Sequence, residues 1–251
     1  MLFFKIFLAP VLIALVSLAG RKWGPGISGW LLGLPLNSGP ILFFLVLQEG
    51  TEFAAKAAVG SLLGIIAWAT FGLIYAFCCP KQSWWSSMLA GWGAYGVVAL
   101  LLLPVRLGVG WAFALVVAAL TAILASFPRP SQDDAPAPRR KYELWLRMAT
   151  ATVMVVTITA LAKSLGPLRS GILSAFPAYT TVLAVFNHWQ SASSAVKVLR
   201  GVTMGLYTAA AFFLVLGLSL SRTGAVLSFC LASVAAGIVQ AGSLVFVRKG
   251  A

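Results

Sequence analysis

Acidic side chains are scarce in this chain: five Asp and Glu stand among 251 residues, against 18 Lys and Arg and a single histidine. Charged residues make up 9% of the total, where soluble domains carry roughly 25%. A water-exposed surface cannot be built from so few charges, which argues against a soluble globule. Lipid removes the difficulty, because an apolar surface needs no charge there. With one histidine and no acidic residue at ligand spacing, no metal site is expected. The sequence also lacks a nucleotide-binding glycine loop followed by Lys, and paired carboxylates within an apolar run. We therefore expect neither an enzyme nor a cofactor, and no ATP-driven pump within this chain. Cysteine is sparse too. Cys78 and Cys79 end an apolar run and Cys230 lies inside one. They read as small apolar filler, with one disulfide left open.

What is abundant is apolar. Hydrophobic residues make up 61% of the chain, and the formal charge is +13. In a soluble protein that balance would suggest nucleic acid. Here the basic residues sit singly or in pairs between apolar runs, a pattern that marks topology and meets anionic head groups. Membrane lipids are the expected partners, and nucleic acid is not. Lys5 and the following apolar run through Ala19 resemble a signal peptide, but further apolar runs follow at once, so this segment reads as a retained first helix.

Backbone groups in hydrocarbon must be paired internally, which restricts spans to helices or closed barrels. These apolar runs are about 20 residues long and do not alternate, so they are helices. The pattern predicts an all-α polytopic membrane protein with helices at roughly 3–20, 27–47, 55–78, 85–103, 108–126, 146–163, 170–189, 198–219 and 223–247, nine in all, with eight or ten as the margin. Pro128 to Lys141 reads PRPSQDDAPAPRRK and is a polar linker. The expected organisation is a five-helix half over 1–127, a linker over 128–145, and a four-helix half over 146–251.

Charge gives an orientation. With nine spans, the loops at 21–22, 79–84, 127–147 and 190–200 share one side with the C-terminus and hold 12 of the 18 Lys and Arg. Lys5, Lys56, Arg106, Lys163, Arg169 and Arg222 fall on the other side. The positive-inside rule then puts the linker and C-terminus in the cytoplasm and the N-terminus outside.

The most informative feature is a repeat at an offset of 142 residues. Gly24-Pro25-Gly26-Ile27-Ser28-Gly29-Trp30-Leu31-Leu32-Gly33-Leu34-Pro35 aligns with Gly166-Pro167-Leu168-Arg169-Ser170-Gly171-Ile172-Leu173-Ser174-Ala175-Phe176-Pro177, and six of the twelve positions match. The alignment runs without a gap to Gln48 and Gln190. Five spans separate the two copies, so they point in opposite directions through the bilayer. That is the inverted-repeat plan of many secondary transporters. A duplicated scaffold with no transport is the alternative.

Within the motif, Pro25 suits the first turn of a helix. Gly29 and Gly33 form a small-xxx-small face that permits close helix contact. Pro35 and Pro40 predict a kink or unwound stretch near 35–40, and Pro177 a milder one. Polar groups in hydrocarbon turn toward the protein interior or a wet cavity. Asn37 and Ser38, aligned with Tyr179 and Thr180, are therefore the first candidates for a substrate pathway, with Thr181 beside them. Asn187, His188 and Gln190 cluster at the end of the seventh helix, and Gln48 is the counterpart of Gln190. His188 could serve a proton-coupled step. Arg169 stands where the first copy has Ile27 and could meet an anionic substrate. Each of these residues has a bland alternative: interhelical hydrogen bonding, snorkelling, or an interface contact. Glu49 and Glu52 read equally as a solvated loop. Trp84, Trp85 and Trp189 read as interface anchors, and Gln240 as a hydrogen-bonding group across the bundle.

Ser170-Gly171-Ile172-Leu173-Ser174-Ala175-Phe176-Pro177-Ala178-Tyr179 resembles the motif of the GlpM-like proteins, small bacterial inner-membrane proteins about half this length. They carry a similar glycine, then Phe-Pro, then a small polar and an aromatic residue. The first copy is looser, with Leu34 in place of Phe and Asn37 in place of the aromatic residue. The resemblance implies a bacterial inner-membrane location and a duplicated architecture. It implies no mechanism and names no catalytic residue.

Two functions remain. One is secondary transport or flipping of a small solute or lipid-linked group by alternating access, with an anionic substrate suggested by the basic residues. The other is a non-transporting scaffold or assembly factor in envelope biogenesis. A homo-oligomer is compatible with either.

Overall fold

The computed structural model describes residues 2–35, 38–130, 142–162 and 175–249. Among the described residues the chain is all-α, with no strand. Its helices are α1 (Leu2–Trp23), α2 (Pro25–Leu32), α3 (Ser38–Cys78), α4 (Trp84–Leu102), α5 (Val109–Ala125), α6 (Glu143–Ala162), α7 (Ala178–His188), α8 (Ala192–Thr223) and α9 (Ala225–Lys249).

Local chemistry sets the boundaries. Gly24 at φ 95° separates α1 from α2, and Pro25 opens α2, where its missing N–H costs nothing. Gly50, at φ 86° and ψ 172°, divides α3 into α3a (38–49) and α3b (51–78). Ser191 caps α8: its hydroxyl accepts from the Ser194 N–H at 3.0 Å. That cap starts the helix at Ala192, six residues before the expected 198.

The second expected span is corrected. In place of one helix over 27–47, α2 ends at Leu32 and a new helix begins at Ser38. The predicted break is therefore present, and it falls on the Pro35 side. Pro40 does not interrupt anything. It lies in the first turn of α3, where N–H groups have no intrahelical partner anyway. Pro177 likewise sits at the start of a helix, as the N-cap of α7.

Among the described residues, four helical segments are long and apolar enough to cross a membrane: Leu42–Cys78, Trp84–Leu102, Ala192–Thr223 and Ala225–Leu244. Val109–Ala125 is a shorter apolar helix. The first and third of these segments are central, with 67% of their apolar windows buried, while α4 and α9 have 22% buried. The remainder of α4 and α9 presents Leu89, Val97, Leu100, Leu101, Val226, Val234 and Ile238 outward. Such a continuous apolar exterior is stable in hydrocarbon and insoluble in water. The chain is a helical membrane protein.

Helices α3 and α8 pack extensively against each other, α4 lies on α3, α9 on α8, and α5 against both α3 and α8. Directions follow from the contacts. Cys79, beyond the end of α3b, donates its thiol to the Ala192 carbonyl at the start of α8, and Gly72 faces Leu199. So α3b and α8 run antiparallel. Ser17 near the end of α1 meets Arg147 in the second turn of α6, so this packed pair is antiparallel too.

The tightest contact joins α2 to α8. A β-carbon at Gly29 would strike the Val198 carbonyl, and one at Gly33 the Gly205 backbone. From the other side, Gly201 faces the Gly26 carbonyl and Gly205 the Trp30 carbonyl. Gly29-xxx-Gly33 thus meets Gly201-xxx-Gly205 backbone to backbone, the close approach that small residues allow between membrane helices.

Candidate functional site: a buried ion pair and two threonine–tryptophan contacts

The ten candidate pathway residues do not form one site. Asn37 and Arg169 lie outside the described residues, and of Ser38 only its place in the first turn of α3 is described. Gln48 is exposed near the end of α3a. The others fall into three groups along and beyond α7.

At the N-terminal end of α7, Tyr179, Thr180 and Thr181 are buried. The Trp68 indole N–H of α3b donates to the Thr180 hydroxyl at 3.0 Å. The Trp92 indole N–H of α4 donates to the Thr181 hydroxyl at 3.2 Å, and Thr181 donates in turn to the Pro177 carbonyl at 2.8 Å. Phe176 closes the group, with its ring 5.1 Å from that of Tyr95 and 5.8 Å from that of Trp92. These hydroxyls hold α7 to α3 and α4.

Further along, His188 Nδ1 lies 3.1 Å from the Tyr75 hydroxyl, linking the end of α7 to α3b. Trp189 packs edge-on against Trp84 at 5.9 Å and against Phe186 at 4.7 Å. Trp84 and Trp189 are partly exposed at this end, as interface tryptophans are.

The third group is the most charged. Glu143 and Arg147 of α6 form an ion pair with side chains only 8% exposed. Glu143 also accepts from the Gln190 side-chain amide at 2.9 Å. Arg147 donates to the Ser17 hydroxyl of α1 at 3.5 Å and lies 5.2 Å over the Phe186 ring of α7. Beside the pair is a small polar pocket lined by Ser17, Arg21, Pro25, Ser28 and Asn187. One cluster thus joins α1, the start of α2, α6 and the end of α7. The end of α1 meets the start of α6, which meets the residues just past α7, and the end of α3 meets the start of α8.

Sequence reasoning assigned Glu143 and Arg147 to the linker and its flank. The signal that could have found them is their spacing. A carboxylate four residues before an arginine at the start of an apolar run is a helical i,i+4 pair, and inside lipid such a pair buries itself. Trp68 and Trp92 were missed because nothing distinguishes an indole that donates inward from one that packs against lipid.

Gln240 does bridge the bundle. Its side-chain carbonyl accepts from the Thr208 hydroxyl of α8, and its amide donates to the Trp30 carbonyl of α2 at 3.3 Å. The Trp30 indole donates to the Ser243 hydroxyl at 2.8 Å. Glu52 and Lys56 form an exposed pair at 2.8 Å, in keeping with a solvated segment. No three His, Cys, Asp or Glu side chains gather as a metal site among the described residues.

The chain matches no family model, no curated protein and no solved structure.

Proposed function

We propose that this chain is a secondary transporter or flippase built from an inverted repeat, moving a small polar or anionic solute, or a lipid-linked group, by alternating access. The observation that carries the reading is a correspondence of elements. Adding 142 to the bounds of α1 gives 144–165, against 143–162 for α6. The same shift takes α3a to 180–191 against 178–188 for α7, α3b to 193–220 against 192–223 for α8, and α4 to 226–244 against 225–249 for α9. Helix α5 is left over as the odd element that reverses the second half. Counterparts α1 and α6 run antiparallel, as do α3b and α8, which is what inversion requires. Ser38 and Ala178 start helices at matching places, each after non-helical backbone at a proline, Pro35 and Pro177, and such helix starts offer backbone groups to a substrate.

In this reading the chain has nine crossings, lies in a bacterial inner membrane as the GlpM-like resemblance implies, and keeps its basic loops and C-terminus in the cytoplasm. The pathway runs beside α7, and the bonds from Trp68 to Thr180 and from Trp92 to Thr181 close it in the present conformation. Those same bonds favour a second reading. Hydroxyls already satisfied by indoles need no substrate, and a permanently closed bundle would be a scaffold for envelope enzymes.

The two are separated without knowing the substrate. In a background with Cys78, Cys79 and Cys230 replaced, Thr180→Cys is exposed to a membrane-impermeant thiol reagent in vesicles of each orientation. Alternating access predicts labelling from both faces. A scaffold predicts labelling from neither. Gly24→Cys and Gly166→Cys must label from opposite faces; labelling from one face would end the inverted repeat.

A further inference from the structure

We propose that the Glu143–Arg147 pair is a charged gate, closing one end of the pathway by tying the two halves of the molecule together. The inference rests on the transport reading. Its partners come from both halves: Ser17 from α1, and Gln190 and Phe186 from the second half with the pair itself. Burying two charges side by side carries a desolvation cost that apolar side chains of the same volume would avoid, so such a pair is weak evidence for stability.

The setting points the same way. The polar pocket, lined by Ser17, Arg21, Ser28 and Asn187, ends on Glu143 and Arg147. It has room for little more than water. Beyond the pair the neighbours turn apolar: Ile13 and Val16 on α1, and Leu183 and Val182 on α7, are all buried. Water reaching the pocket therefore meets charge and then hydrocarbon. Separating Arg147 from Ser17, and Glu143 from Gln190, would remove these polar ties from α6 to α1 and α7 and let the wet pocket extend along α7 toward Thr180.

The sequence repeats this polar set in the other half. At the offset of 142, Ser17 corresponds to Thr159, Arg21 to Lys163, Pro25 to Pro167, Ser28 to Ser170, Arg147 to Lys5 and Gln190 to Gln48. Under inversion the second set belongs to the opposite face. Glu143 has Met1 and Asn187 has Leu45 at the corresponding positions, so the carboxylate and this amide are particular to the half that contains α6.

The test uses Thr180→Cys in the full-length, cysteine-replaced chain in oriented vesicles. Glu143→Gln should raise the labelling rate from the ion-pair face about tenfold and leave labelling from the other face unchanged or slower. The charge exchange Glu143→Arg with Arg147→Glu should return the rate to within about threefold of the parent. A tenfold change in opening corresponds to about 1.4 kcal/mol. If Glu143→Gln leaves labelling unchanged, or the exchanged pair stays as open as the single variant, the gate is wrong. If the parent labels from both faces and Glu143→Gln changes nothing, transport stands and the gate falls. If the parent labels from neither face and Glu143→Gln admits reagent from the ion-pair face alone, the pair merely seals a closed bundle, and the transport reading and the gate fall together.

Discussion

Gly33, capping the end of α2, lies against Gly205 of α8 so closely that neither position has room for a β-carbon. The backbone itself is the contact surface, and any side chain must push the two helices apart. Overpacking of this kind costs about 1–3 kcal/mol. We expect Gly205→Val and Gly33→Leu to lower Tm in detergent by several degrees. Gly93→Ala, which adds a methyl group in open space on α4, should not lower it. Equal melting of all three variants would remove the glycine interface as a source of stability.

Gln240 holds Thr208 and the Trp30 carbonyl at once, joining α9, α8 and α2. Hydrogen bonds between membrane helices average about 0.6 kcal/mol and reach about 1.7. Gln240→Leu should therefore destabilise the protein by about 1 kcal/mol. Combining it with Thr208→Val should cost less than the sum of the two single changes, because each removes the same bond. Strict additivity in denaturant unfolding would show that the bond contributes nothing.

Trp68→Phe leaves the Thr180 hydroxyl buried without its indole donor. A stranded buried polar group costs about 1–3 kcal/mol, whereas removing both partners is far milder. Trp68→Phe should thus destabilise more than the double variant Trp68→Phe with Thr180→Val. The order of the two midpoints checks the bond directly, and the reverse order would show that Trp68 acts through packing alone.

Gly50 at φ 86° holds a conformation that disfavours any β-carbon. Gly50→Ala should cost about 1–2 kcal/mol. Gly242→Ala, inside α9 with open space beside it, should cost nothing. A smaller loss at Gly50 than at Gly242 would mean that the break between α3a and α3b relaxes into continuous helix.

The fold class was legible because lipid imposes one simple demand, long apolar stretches, and most helix ends lie within a few residues of those the apolar runs predict. Single residues carried real information: Pro25 opens α2, Gly29 and Gly33 make the close contact, and Gln240 bridges helices. What escaped was the pairing of polar groups across the bundle. Position in the sequence does not say that Trp92 reaches Thr181 across 89 residues, or that Ser17 meets Arg147 across 130. Pro40 was misread for a local reason. Proline breaks a helix only where an N–H was needed, and two residues into α3 none was.

The 32 residues of α8 make a rod about 48 Å tall, while the oily layer it crosses is about 30 Å thick. Such a rod leans, or stands proud of the sheet at its polar ends, where Lys197, Arg200 and Arg222 stand. Since α2, α3, α5, α7 and α9 are all moored to it, its lean sets theirs. Lipid tails of different length should therefore shift the posture of the whole assembly through this one mast.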